Sequence, residues 1–337
     1  MFSNPFEQAP QDPSRRSFMI GAGVAMAAMP LLTAAEAEAD VLASTSLSPP
    51  YNAAFDTPKG MLETYIKMSG DTSGKPYGGY FSGHVFSWLP NKCITPLMGV
   101  TGFGLGSDHR QPDGSFHHIW HEVGFYTDLK TGKPLEQWVN PLNGETCEVV
   151  PINNKSVNLT FSPHLPDPAK LAKAGFNIMP DNFTADPNDP THPYGLPYAV
   201  IGDQLSVFAD SVGLIPSVLD PAIWKKEAPG PMINVGEFYM LTGSKRAVLD
   251  PATTNVPVTG SWTRLGPYLP WMLMGQSAGH IFYRTTTKKI AGPWELPKSL
   301  QAYTKQTYPK FLDFPTDFSV PIENSWDVYK HTHTPKA

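Results

Sequence analysis

The chain has 337 residues, of which 41% are hydrophobic and 12% aromatic, against only 16% charged. That supplies apolar material for a large core and too little charge for a disordered chain. A net charge of −5 with no clustered Lys/Arg run speaks against nucleic acid as a partner.

Residues 1–39 read as a twin-arginine signal peptide. Ser14, Arg15, Arg16, Ser17 and Phe18 form the arginine-pair signature. The apolar stretch from Ile20 to Leu32 is shorter than the roughly 20 residues that span a bilayer. Ala37 and Ala39 offer the small side chains of a cleavage site. The expectation is a periplasmic protein, exported by the twin-arginine machinery, with no stable membrane anchor. Residues 40–58 read as an irregular linker and 59–337 as one β-rich domain.

Helical spacing of Met61, Tyr65 and Met68 predicts a short helix over Pro58 to Ser69. Tyr80 to Trp88 alternates like a strand, with Tyr80, Ser82, His84, Phe86 and Trp88 on one face. Asp113-Gly114 is a hairpin signal. Beyond it, Ser115 to Thr127, Pro134 to Val139 and Thr146 to Ile152 read as a three-stranded meander. Ser162 to Pro197 is proline-dense loop with one short helix around Ala169 to Ala174, and a loop of that length suits a lid or a binding loop. Strands are expected again at Tyr198 to Ala209, Met232 to Leu241, Thr259 to Arg264 and His280 to Thr287. The fold class is mainly β: a large antiparallel sheet closed into a barrel, or folded into a sandwich, with few short helices. Cys93 and Cys147 are the only cysteines, and spacing alone leaves open whether they pair.

Three blocks of sequence stand out. The first runs Glu122-Val123-Gly124-Phe125-Tyr126-Thr127-Asp128, then Thr131-Gly132 and Trp138-Val139-Asn140-Pro141. The second runs from Trp262 through Arg264, Pro267, Pro270 and Trp271 to Gly275, and the third is Pro321 to Trp326. In these blocks the chain resembles an uncharacterised family, domain-of-unknown-function family 1838. It departs at His121, where the resemblance leads one to expect an arginine before Glu122. The resemblance implies a single domain and no particular reaction.

His117 to Glu122 has zinc-site spacing if helical, because His117 and His121 would lie one turn apart. The preceding turn and the interleaved Ile, Trp, Val, Phe and Tyr predict a strand instead. Residues four apart on a strand are separated by roughly 13 Å, so neither His117 with His121 nor His118 with Glu122 could hold one ion. No metal and no cofactor are expected. On the strand, His118, Trp120, Glu122 and Tyr126 share one face. A carboxylate among aromatics either pairs with a cation or has a raised pKa suited to proton transfer. Arg264 is the natural partner of Glu122, as a structural pin between strands or as a ligand clamp.

Glu237 alternates with Ile233, Val235, Tyr239 and Leu241. It is either an acid facing a barrel lumen or part of an outward face. His84 reads as an acid–base group or as a core histidine. Trp271, in a proline-flanked loop, would stack on a flat ligand or pack in the core. The run from Gly102 to Gly106 has the wrong spacing for a nucleotide fingerprint, and no serine-hydrolase elbow is present.

The combined expectation is a cofactor-independent lyase, isomerase or hydrolase acting on a hydrophobic or aromatic small molecule. Glu122, His84 or Glu237 would transfer protons, Arg264 would hold an anionic group, and Trp120, Tyr126 and Trp271 would line the ligand. The rival is a non-catalytic binding protein with the same aromatic cavity.

Overall fold

The computed structural model describes residues 52–163, the two-residue strand Asn177–Ile178 and residues 196–336. All of these belong to one compact unit, Tyr51–Ala337. The expected signal peptide and the short helix expected around Ala169 to Ala174 lie outside the described residues, as does most of the proline-dense loop.

The expected linker ends early, because its last residues carry helix-start chemistry. The Asn52 side chain accepts from the Ala54 amide at 2.9 Å and opens α1, Ala53–Asp56. Thr57 then accepts from the Gly60 amide at 3.0 Å, and Pro58 sits at the first position of α2, Pro58–Ser69. Helix α2 is the one that the apolar spacing predicts. It buries Met61, Leu62, Ile66 and Met68 against Leu205, Val207 and Val258.

Strands β1 (Tyr77–Trp88), β2 (Thr95–Arg110) and β3 (Phe116–Thr127) form an antiparallel series. The Asp113-Gly114 turn joins β2 to β3, with Gly114 at φ +87°. The expected meander divides after β3. Strands β4 (Gln137–Val139) and β5 (Thr146–Glu148) pair only with each other, while β6 (Ile152–Asn154) and β7 (Leu159–Phe161) return to β3. Strand β8 is Asn177–Ile178. The strand expected over Tyr198 to Ala209 is a hairpin, β9 (Tyr198–Ile201) and β10 (Gln204–Pro216), turned at Gly202 with φ +60°. Strands β11 (Met232–Ser244), β12 (Thr259–Gly266) and β13 (His280–Ile290) complete the set.

Eleven strands form one antiparallel sheet in the order β6-β3-β2-β1-β13-β12-β11-β10-β8, with β7 beside β3 and β9 beside β10. Among the described residues no ladder joins the β6 edge to the β8 edge. The sheet is nonetheless strongly curled. Strands β3 and β11 are five spacings apart, about 24 Å in a flat sheet, yet Glu122 on β3 and Glu237 on β11 act electrostatically on each other.

Alternation along the paired strands defines the two faces. Phe81, Val100, Tyr126, Trp262 and Tyr283 point into the curl and join one core cluster. Phe103, Leu105, Val123 and Phe125 point outward, where α4 (Lys298–Thr307) and the turn Pro309–Leu312 cover them with Leu300 and Phe311. A five-residue helix α3, Lys245–Leu249, follows β11. Helix α5, Ser325–Thr332, is opened by a capping box between Asn324 and Asp327.

Candidate functional site

The three sequence blocks meet inside the curl. Glu122 and Tyr126 come from the first, Trp262 and Arg264 from the second, and the third reaches them through Asn154. Ser325 donates to the Asn154 side-chain oxygen from its amide at 2.9 Å and from its hydroxyl at 2.8 Å. Those bonds fix which way the Asn154 amide points, and its nitrogen donates to Glu122 Oε1 at 3.1 Å.

Arg264 is directly opposite Glu237 in the β11–β12 ladder. Its Nη1 donates to Glu237 Oε1 at 2.5 Å, and Trp262 Nε1 donates to Glu237 Oε2 at 2.5 Å. The partner of Arg264 is therefore Glu237, not Glu122 as the sequence suggested. The reason is register, since β12 neighbours β11 whereas β3 lies four strands away. Both Glu237 oxygens are engaged, which makes it a charge partner rather than a free proton carrier. The Arg264 charge is likewise met within the protein, so the expected clamp on an anionic group loses its unpaired cation.

Glu122 is left as the acid without a cation of its own. Burial and the nearby Glu237 charge push its carboxyl from the ordinary 4.5 up to about 7, against the opposing pull of Arg264 and the Asn154 bond. Tyr126 and Tyr283 share a hydroxyl contact of 2.7 Å beside it, and burial holds Tyr283 up at about 12. Tyr239 lies nearly parallel to Trp262, with ring centroids 6.2 Å apart. Desolvation is the largest influence on the ionisation of Glu122, Tyr239 and Arg264, so all three lie deep in the protein. Yet Tyr239 keeps 37% of its surface open, and the Arg264 and Glu237 side chains keep 27% and 19%. That open surface lies on the concave face of the sheet, so side chains of the described residues do not fill the curl there.

Trp120 forms part of the floor. A Cβ at Gly104 would lie 2.2 Å from its ring and one at Gly106 would lie 2.7 Å from it, so these glycines let the indole lie flat on β2. The glycine run that carries no nucleotide signal thus has a packing role. Beyond Trp120, His118 Nδ1 meets Asp108 Oδ1 at 2.8 Å. Asp108 is fully buried. The sequence reading passed over Asp108, Trp262, Tyr239 and Tyr283. Two signals pointed toward them: the alternation of Tyr239 with Glu237, and the place of Trp262 at the head of the second block, two residues from Arg264.

His84 is not part of this group. It is exposed on the outer face of β1, within a groove of about 920 Å³ that Tyr80, Thr101, Arg284, Thr286 and Tyr303 also line. The alternation placed it correctly beside Tyr80 and Phe86, but that face is the convex one. Trp271 is 4% exposed and packs between Tyr126 and Trp138 at centroid distances of 5.3 and 5.8 Å, behind the hollow rather than on it. The strand geometry also separates the histidines. His117 stacks on Phe318 at 3.8 Å, while His121 faces Phe311 at 4.9 Å. Among the described residues no cluster of three potential metal ligands occurs.

A comparison with curated proteins finds none that matches the chain. The model of one family matches residues 75–333, which takes in all three blocks and every strand of the curled sheet. The chain therefore belongs to the family described as protein of unknown function DUF1838.

Proposed function

We propose that this protein is a cofactor-independent acid–base enzyme that works on an uncharged hydrophobic or aromatic small molecule. The curled sheet would act as a partly open barrel, with the ligand held in its hollow. One observation carries the reading: the half-buried Glu122 carboxyl lies on the concave strand face with Trp120 and Tyr126, and desolvation and the nearby Glu237 push it up to about 7. A general acid or base works best with a pKa near the operating pH. Arg264, fixed by Glu237, would offer its remaining N–H groups to a carbonyl or hydroxyl oxygen of the ligand, and Trp262 with Tyr239 would stack on its flat face. Lyase, isomerase or hydrolase chemistry suits such an arrangement. Export through the twin-arginine pathway, with action in the periplasm, belongs to the same proposal and rests on Arg15 and Arg16.

The test is a panel of aromatic aldehydes, ketones and esters, with binding followed by tryptophan fluorescence and chemistry by product formation or deuterium uptake from D2O. Glu122→Gln should keep binding within a few-fold while turnover falls by about 10²- to 10⁴-fold. Binding without any turnover in the wild type would support the non-catalytic binding protein instead. Failure of the whole panel to bind would remove the ligand-chamber reading.

A further inference from the structure

Glu122 is not the only group in the curl arranged for proton transfer. His118 lies on the same face of β3, and its surroundings are those of an oriented base. Asp108 Oδ1 takes its Nδ1 at 2.8 Å, and the Tyr77 hydroxyl lies 3.4 Å from the same nitrogen. A carboxylate only accepts, so Nδ1 carries a hydrogen, and the neutral form of the imidazole presents its lone pair at Nε2. The imidazole lies on Trp120 at a centroid distance of 5.5 Å and an interplanar angle of 20°, with Phe161 on another side at 5.2 Å.

The cost of building this pair shows in the structure. Asp108 is 0% exposed and its Oδ2 is buried with no hydrogen-bond partner. Gly70, after α2, leaves the room it needs, because a Cβ there would lie 1.8 Å from that oxygen. A buried carboxylate with an unmet lone pair costs stability and does little for packing. The Tyr77 hydroxyl bonds to this carboxylate and the Lys289 charge acts on it, and orienting the imidazole gives the pair a use beyond packing.

The spacing then limits what the two groups could share. His118 and Glu122 are four residues apart on one strand face, roughly 13 Å. Subtracting two hydrogen bonds of about 2.8 Å leaves ~7–8 Å between the ligand atoms they would touch. One aromatic ring with a hydroxyl at one end and a carbonyl para to it spans roughly 6–6.5 Å between its oxygens, within about 1 Å of that separation, and the reach of the His118 and Glu122 side chains makes up the difference.

We propose that His118 is a second proton-transfer group, positioned by Asp108, and that the chamber takes an uncharged para-hydroxyaryl carbonyl with its hydroxyl on His118 and its carbonyl oxygen on Glu122. The hydroxyl proton passes to His118 Nε2, and its electron pair moves through the ring to the carbonyl oxygen. That oxygen takes the proton of neutral Glu122. The ligand becomes its quinone-methide tautomer with no net gain or loss of protons or electrons, leaving an imidazolium and a carboxylate that return their protons in the reverse step. The inference rests on the reading of the hollow as a ligand chamber.

The experiment uses the full chain and three probes: 4-hydroxybenzaldehyde, benzaldehyde and phenol. The expected result is that 4-hydroxybenzaldehyde binds at least about ten-fold more tightly than either of the others, each hydrogen bond to such a group being worth roughly that factor. Its near-ultraviolet band should move to longer wavelength on binding. His118→Gln should bring its affinity down to that of benzaldehyde and abolish the spectral shift, without changing benzaldehyde binding. Asp108→Asn, which keeps the imidazole but not its orientation, should also abolish the shift and serves if His118→Gln fails to fold. If benzaldehyde binds as tightly as the hydroxyaldehyde and the variants change neither, the two-ended reading is wrong while the chamber stands. If none of the probes binds, both readings fall.

Discussion

Consecutive residues on β3 face opposite environments, and their ionisation runs in opposite directions. Glu122, inside the curl, is raised from 4.5 to about 7 by burial and by Glu237, with Arg264 and Asn154 opposing. His121, on the outer face against Phe311, is lowered from 6.5 to about 4 by burial, with Asp313 opposing. Between about 4.5 and 7 the folded state keeps a Glu122 proton that the unfolded chain has released, so stability falls as pH rises through that window. Between about 6.5 and 4 the unfolded chain gains a His121 proton that the folded state refuses, so stability falls as pH drops. Each effect amounts to roughly 3 kcal/mol at most. Where the windows overlap they cancel, and urea titrations of the wild type should give a nearly flat profile there. Glu122→Gln should be more stable than the wild type at pH 8 but not at pH 4.5, and His121→Leu should lose the acid limb. With Glu122→Gln only the His121 limb should remain, so stability should rise with pH from about 4 to 6.5, and a variant profile as flat as that of the wild type would show that the carboxyl is not held neutral by the fold.

Strand β2 shows at the level of the element what a sequence pattern hides. Seven of its residues alternate, with Gly102, Gly104, Gly106 and Asp108 on the inner face and Phe103, Leu105 and Ser107 on the outer, but the glycines lower its strand propensity and no strand is read there from the sequence. The glycines are there because Phe81 and Trp120 lie across them. A Cβ at Gly102 would fall 2.5 Å from the Phe81 ring, and one at Gly104 would fall 2.2 Å from Trp120. Gly79 on β1 borders the same indole at 3.6 Å, an ordinary contact. Gly104→Ala should therefore cost about 1–3 kcal/mol and shift the tryptophan emission, while Gly79→Ala should stay within about 0.5 kcal/mol. Thermal melts and fluorescence of the two variants decide the matter. Equal effects would mean that the floor yields easily and that Trp120 is not held flat by the glycines. The ribbon of β4 and β5 was legible as strands, but its separation from the sheet was not. Asn140, which donates to the Met272 carbonyl at 2.8 Å, ties it to the second block far along the chain.

At the scale of the whole molecule, curling brings β3 and β12 to one interior and leaves the two cysteines apart. Cys93 is exposed and Cys147 is buried, and neither is in a disulfide. Burial and the Glu145 charge push the Cys147 thiol up to about 11. A thiol reagent at pH 8 should titrate one cysteine in the native protein and the second only after denaturation. A protein that titrates none when native and two when reduced and unfolded would have the pair bridged.

Local matters are legible in the chain: the helix Pro58–Ser69, the Asp113-Gly114 turn, the mainly β class, and the strand that sets Trp120, Glu122 and Tyr126 on one face. Those features depend on propensity, turn chemistry and a period of two, which are properties of neighbouring residues. Which cation meets which carboxylate, and which histidine shares the interior with Glu122, depend on how distant strands come together. His84 and His118 look alike in alternating strands, and the direction of curl put one outside and the other against Asp108. Arg264 was matched to Glu237 by the order of strands in the sheet, a long-range outcome that no local pattern encodes.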